Sequence, residues 1–455
     1  MITGSENGRK RARETAMKEN KKKHISTGYE DFKELIDENC YFVDKTLLIQ
    51  EVLCNKTKAM LITRPRRFGK TLNLSILRRF FEDERTAQGE KIDNGYLFDG
   101  LAVSRCGEEV LQHRQQYPVI FLSLKSAKQP DYEMAYDSLI DEIAREFSRH
   151  QYVLLSNALS EAEKERFTKI RDWKAKPVQY AASLAFLSEC LAKYHGKNAI
   201  ILIDEYDVPL ENAYFENFYE EMITFIRSLF ESALKTNPNL ERGIITGCLR
   251  ISRESIFTGL NNLAVHSPLS NHFDCRFGFT EAEVREMLAY YKLEGEYPQL
   301  QQWYDGYLFG CTEIYNPWSI LNYIYNAGEE NNLPRPYWSN TSGNSIVREL
   351  VEHADGETKM DLEVLMQGET IEKPVHEEIT YEDIHATKDN LWNFLFFTGY
   401  LKAGKQRMED GIIYMELSIP NLEIKTVYRN SIVTWFDEKI RKMDRSCLLY
   451  TSRCV

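Results

Sequence analysis

A doubly wound parallel α/β sheet followed by a helical, winged-helix-like C-terminal region is the fold class that this 455-residue sequence predicts. Three observations carry it. Short apolar runs alternate with stretches of helical apolar spacing from residue 25 to residue 279, as in parallel sheets whose buried strands are joined by helices. One such run, Ala59 to Thr63, leads through a basic loop into Gly69-Lys70-Thr71 at the head of an amphipathic helix. Another, Ala199 to Ile203, ends on the acidic pair Asp204-Glu205.

Taken in order, residues 1–24 are polar and rich in Lys and Arg, and predict a disordered basic tail, with a nucleic-acid arm as the alternative. Tyr29 to Ile36 and Thr46 to Leu53 have helical spacing, and Asp44 stands where a cap would precede the second. After the basic loop, Leu72, Ile76, Leu77, Phe80 and Phe81 share one helical face. Pro118 to Leu124 is a strand, and Tyr132 to Phe147, Ser160 to Ile170 and Val178 to Tyr194 are helices. The acidic strand follows, then a helix over Phe215 to Leu234, a strand over Gly243 to Gly247 and a fifth strand over His272 to Phe277. Ligands of such sheets bind outside the strands' carboxyl ends.

From Thr280 the pattern turns to helices and aromatic turns. Thr280 and Glu283 form a capping box for Glu281 to Tyr291, Trp303 to Gly310 reads as a turn, and Asn316-Pro317 opens another helix. Ser345 to His353 is helical, as is the very apolar Leu391 to Phe397. Strands over Tyr400 to Gly404 and Ile412 to Ile419 flank the turn Glu409-Asp410-Gly411, and Leu422 to Phe436 closes as a helix. Helix, hairpin and helix make a winged-helix-like module, read here as a lid or partner surface. The predicted division is a tail over 1–24, a nucleotide domain over 25–279, the C-terminal region over 280–436, and a truncated or disordered tail over 437–455.

Composition narrows the class. A net charge of −12 argues against coating nucleic acid by bulk charge. Nine cysteines without a C-x-x-C pair predict a reducing compartment, and nine histidines form no zinc-type cluster. No apolar run reaches the ~18 residues of a membrane span, and no apolar segment follows the basic N-terminus, so a cytoplasmic protein is expected.

Gly-Lys-Thr at a strand-to-helix junction is the working end of a phosphate-binding loop (Walker A). Backbone groups of Pro65, Arg66, Arg67, Phe68, Gly69, Lys70, Thr71 and Leu72 would cradle the phosphates. Lys70 would reach the terminal phosphates, and the Thr71 hydroxyl would ligate Mg²⁺. The consensus wants glycine where this chain has Arg64. In the acidic strand (Walker B), Asp204 would hold the Mg²⁺ shell and Glu205 would orient or deprotonate the attacking water. A buried strand with a solvated acidic turn is the plainer reading of that strand alone, but its order after the loop favours the catalytic one. The strand Pro118 to Leu124, lying between the two in sequence, favours hydrolysis over phosphoryl transfer to a metabolite. Thr246 is a γ-phosphate sensor or a strand-end hydroxyl bonded to backbone, and Arg250 a candidate for stabilising developing charge. Glu423-Ile424-Lys425 matches part of a PD-(D/E)XK nuclease site, but its upstream acid would be Asp410, in a hairpin turn.

With these motifs in hand, the chain resembles the AAA-ATPase-like family of bacterial proteins. The likeness rests on YFVDKT (Tyr41 to Thr46), TRPRRFGKTLNLS (Thr63 to Ser75), LIDEYDVPL (Leu202 to Leu210) and ITGCLRISRESIFTGLNN (Ile245 to Asn262), extended by WYDGYLFG, IYNPWSILNY and LSIPNLEIK. It implies a P-loop NTPase with ATP and Mg²⁺ as cofactors, and an arginine at position 64 is usual in such proteins. Members often carry a C-terminal PD-(D/E)XK nuclease domain. Fewer than twenty residues follow Phe436 here, so the expectation is a chain truncated before that domain or lacking it, without cleavage activity. The expected function is a Mg²⁺-dependent ATP-binding protein and ATPase that uses its nucleotide state to reposition the C-terminal region. The alternative is a nucleotide-gated interaction or nucleic-acid-binding module with incidental turnover. A nucleic-acid or protein partner and an oligomer are both compatible with the sequence; a membrane partner is not expected.

Overall fold

The computed structural model describes residues 22–250, 256–257, 263–327, 332–338, 347, 355–377 and 388–433. Both predicted tails, apart from residues 22–24, and the predicted helix over Ser345 to His353, apart from Val347, lie outside them.

Five parallel strands form the central sheet: β1 (Ala59–Thr63), β2 (Val119–Ser123), β3 (Ala199–Asp204), β4 (Leu240–Gly247) and β5 (Leu263–His266), in the order β2-β3-β4-β1-β5. Every residue of β1 and β3 is buried, which explains why these strands read as unbroken apolar runs. Alternate residues serve opposite faces. Met60, Ile62, Ile200 and Leu202 meet the Phe80 and Phe81 side, while Ala59, Leu61, Ile201 and Ile203 meet Leu139, Leu187 and Ile226. At about 1.5–3 kcal/mol per buried Ile or Leu, this double coverage is the main stabilising term of the sheet.

Helices on one face are α1 (Phe32–Asp37), α2 (Leu47–Cys54) and α3 (Lys70–Phe81); the other carries α4 (Tyr132–Arg149), α5 (Glu161–Arg171), α6 (Ser183–His195), α7 (Val208–Phe215) and α8 (Tyr219–Phe230). Asp44 lies just outside α2. Its carboxylate accepts from Thr46 N at 2.9 Å and Ala102 N at 2.7 Å, a structural tie.

The fifth strand is a correction. It is Leu263–His266, paired with β1, and His272 to Phe277 is a turn-rich segment instead. Four residues at the sheet edge leave too short a periodic signal, whereas the alternating apolar residues Phe273, Cys275 and Phe277 imitate a strand.

Beyond residue 280 come α9 (Glu281–Tyr291), α10 (Tyr297–Tyr304), the hairpin β6 (Tyr307–Phe309) and β7 (Thr312–Ile314), and α11 (Pro317–Asn326). The capping box of Thr280 and Glu283 is formed, and Asn316 caps α11. Then follow α12 (Gly356–Gln367), β8 (Ile371–Val375), α13 (Lys388–Phe397), β9 (Lys402–Glu409), β10 (Ile412–Ser418) and α14 (422–433). Strands β8, β10 and β9 make an antiparallel sheet with β10 in the middle. Glu423 opens α14 and Asp410 occupies the β9–β10 turn.

Candidate functional site

β1 delivers the basic loop to the carboxyl edge of the sheet, and Gly69 starts α3. Gly69 has φ +82°, and no neighbouring atom lies within 4 Å of where a Cβ would sit, so glycine is required by conformation rather than space. The first helical residue is Lys70, which is buried. Its Nζ donates to the carbonyls of Arg64 and Pro65, each at 3.0 Å, and lies 3.4 Å from Cys248 Sγ. Burial opposes its charge, but Cys248 and the carboxylates of Glu205, Asp207 and Asp204 outweigh that and hold its pKa above the ordinary value.

Asp204, at the end of β3, joins three elements. It accepts from Thr71 Oγ1 on α3 at 2.7 Å and from Thr246 Oγ1 on β4 at 2.6 Å. Strand order makes this possible, since β4 stands between β1 and β3. Glu205 follows in the left-handed region, φ +50°, a conformation that costs a non-glycine residue about 1–3 kcal/mol. Burial raises its pKa and Lys70 opposes the rise.

A cavity of about 370 Å³ opens here. Arg66 through Leu72 and Glu205 line it; Asp204 and Thr246 lie beneath, behind Thr71. Pro65 is not part of the lining. It packs on Gly399, where an added Cβ would sit 2.9 Å from the proline ring. Nor does Arg250 line the cavity: its guanidinium is 2.9 Å from Glu377, just past β8.

Arg64, which stands where the consensus has glycine, does not line the cavity. It is fully buried, donating to Thr63 O at 2.7 Å, His266 O at 2.9 Å, and His272 O and Phe273 O at 3.2 Å. The guanidinium also lies 5.0 Å from the Phe309 ring. Burial pushes its pKa down to about 9, still above neutrality. It fastens the loop to β5 and the following segment. Arg66 pairs with Glu211, and Arg67 lies 4.1 Å over the Trp318 ring.

Several lining residues lie outside the phosphate-loop and acidic-strand motifs: Tyr29, Lys125, Lys128, Trp318 and Leu321. Lys125 is legible in the sequence, since it directly follows the carboxyl end of the predicted strand Pro118 to Leu124. Trp318 and Tyr29 arrive by tertiary packing. Asp207 ends the run DEYD without a local signal of its role; its Oδ2 accepts from Cys248 N at 2.7 Å and Leu249 N at 3.0 Å, fixing the end of β4.

A five-stranded parallel sheet with flanking helices, a glycine-started helix after β1 and a carboxylate two strands away describe a P-loop-like α/β core. The chain belongs to the AAA-ATPase-like family: residues 26–257 match the family model described as Predicted AAA-ATPase. It is also similar to the "Uncharacterized protein in vnfD 5'region" of Azotobacter chroococcum mcd 1, with 23% identity over 415 residues, 90% of this chain and 70% of that protein. Among the described residues, no helix is long and apolar enough to cross a membrane. ATP is the ligand that the family description implies.

Proposed function

We propose that this protein binds ATP with Mg²⁺ and hydrolyses it, using the nucleotide state to reposition its C-terminal region. The observation that carries the reading is the convergence of Thr71 and Thr246 on Asp204 beneath a cavity lined by Lys70 and Glu205. Thr71 and Asp204 fit Mg²⁺, a hard cation that takes few protein oxygens and fills the rest of its shell with water and phosphate. Bound there, Mg²⁺ would neutralise charge on the phosphates. Lys70 binds the terminal phosphates in this reading, Gly69 and its neighbours offer backbone donors, Thr246 senses the phosphate through Asp204, and Glu205 takes the proton of the attacking water.

Lys70→Ala removes a charge-assisted contact of ~1.5–3 kcal/mol, so ATP affinity should fall at least tenfold by titration calorimetry. Equal affinity in both proteins would sink the assignment. Calorimetry with Mg²⁺ and with chelator gives the metal its own readout, tighter ATP binding when Mg²⁺ is present.

Repositioning is supported by how the C-terminal half meets the loop's outer side. Phe68 packs edge-on against Tyr307 at 4.9 Å, Trp338 Nε1 donates to Arg66 O at 3.4 Å, and Arg67 and Pro65 meet Trp318 and Gly399. We read 25–279 as the nucleotide unit and 280–436 as the responding one, ending in a winged-helix-like module, with Arg250–Glu377 as a tie between them. The second reading, a nucleotide-gated module for a nucleic-acid or protein partner, is favoured by β9. It is an edge strand whose residues 404–409 are exposed, Arg407 among them. Turnover measured with duplex DNA, with RNA and with neither separates the readings, since only a nucleic-acid module should respond, and in a salt-dependent way.

A further inference from the structure

We propose that Lys125 is a catalytic cation of this site, donating to the terminal phosphate of bound ATP from the β2 side while Lys70 holds it from the loop side. The proposal rests on the ATPase reading. Its geometry comes from strand register. Ser123 on β2 pairs with Asp204 on β3, and Leu124 N donates to Asp204 O at 3.0 Å. One residue further along each chain, Lys125 stands beside Glu205, and both line the cavity with Lys70. Burial lifts the pKa of Glu205, and the cations opposing that lift are Lys70 and then Lys125.

Lys128, exposed three residues beyond Lys125, also lines the cavity and has no side-chain partner among the described residues, but the other cations there are committed. Lys45 bonds Glu283 at 2.6 Å and Cys275 O at 2.9 Å, Arg276 bonds Glu51 at 2.8 Å, Arg66 pairs with Glu211, and Arg67 covers the Trp318 ring. Lys125 pairs with Glu30 across the cavity mouth, and both side chains are 58% exposed. An ion pair that open to water is weak, so a triphosphate, with several charges in a confined site, competes for the ammonium readily.

In the reaction, the water oxygen bonds to the terminal phosphorus while the bond from that phosphorus to the bridging oxygen breaks. The electron pair leaves on ADP, and Glu205 accepts the water proton. Charge redistributes over the terminal phosphoryl and bridging oxygens in the transition state, where an ammonium bound to them stabilises more than it does in the ground state. Such a cation within the chain takes the part that Arg250, paired with Glu377, is not placed to take.

The test compares steady-state turnover and calorimetric ATP affinity for the full chain as wild type, Lys125→Ala, Lys125→Arg and Glu30→Gln. Lys125→Ala should lower kcat about ten- to hundredfold, with ATP affinity changed less than about fivefold. Lys125→Arg should recover part of kcat, and Glu30→Gln should stay within about twofold of wild type. A wild-type kcat in Lys125→Ala overturns the proposal. So does an equal loss in Glu30→Gln, which would make the pair a structural strap. A wild type that binds no ATP would instead refute the ATPase reading, and would be seen before any variant is made.

Discussion

Glu205 keeps a backbone conformation that glutamate seldom takes, φ +50°, directly after a strand whose every residue is buried. The turn carries its carboxylate out of the sheet and into the cavity, where burial raises its pKa. Glu205→Gln should therefore keep ATP affinity and lose turnover by at least about a hundredfold, read by calorimetry and phosphate release. Hydrolysis retained in that variant would take Glu205 out of the base role. At this scale the sequence was informative wherever chemistry is packed into neighbouring positions. Gly69-Lys70-Thr71 and Asp204-Glu205 announce themselves because a phosphate loop and an acidic strand end each need adjacent residues. Tyr29 and Trp318 do not, because what places them at the cavity is packing between segments almost 300 residues apart.

The loop between β1 and α3 shows how an element can break a consensus and remain whole. Where a glycine would let the chain approach a phosphate, Arg64 turns inwards and satisfies four carbonyls. Restoring the consensus with Arg64→Gly should thus weaken the protein rather than improve it. Several charged hydrogen bonds would be lost and their carbonyls left buried, at a cost of at least about 3 kcal/mol. Urea unfolding checks this, and an unchanged midpoint would mean that the arginine adds nothing to stability. The partners of Arg64 also explain the misplaced fifth strand. Residues 272–277 owe their conformation to the arginine and to Arg276–Glu51, contacts some 200 residues away that local periodicity does not register.

At the scale of the whole molecule, the C-terminal half is fastened within itself by a buried acid. Glu423 on α14 accepts from Ser319 Oγ on α11 at 2.7 Å and from Trp338 N at 2.8 Å. Burial outweighs those donors and pushes its pKa up to about 7, from an ordinary 4.5. The unfolded chain thus loses this proton near pH 4.5 while the native chain keeps it to about pH 7. Native protein binds more protons across that window, so this group's contribution to stability falls as pH rises from 4.5 to 7 and is level on either side. The total is roughly 3 kcal/mol. Glu423→Gln keeps an acceptor and cannot ionise, so its unfolding midpoint should decline less over that range than that of wild type. Parallel curves would show that the carboxyl titrates normally. The same buried position explains why the E-x-K motif reads differently in three dimensions: Glu423 is an internal fastener.

The cavity has one further property, which concerns variation. The end proposed for the phosphates, from Arg66 to Leu72 with Lys125 and Glu205, lies inside the stretch that matches the family, residues 26–257. Gly278, Phe279, Pro317, Trp318 and Leu321, which close other parts of the wall, lie outside that stretch. The apolar wall is therefore split, with Leu35, Phe42, Val43 and Val208 inside the stretch and Phe279, Trp318 and Leu321 outside it. On the ATPase reading, that outer part of the wall can vary without touching the residues proposed for catalysis.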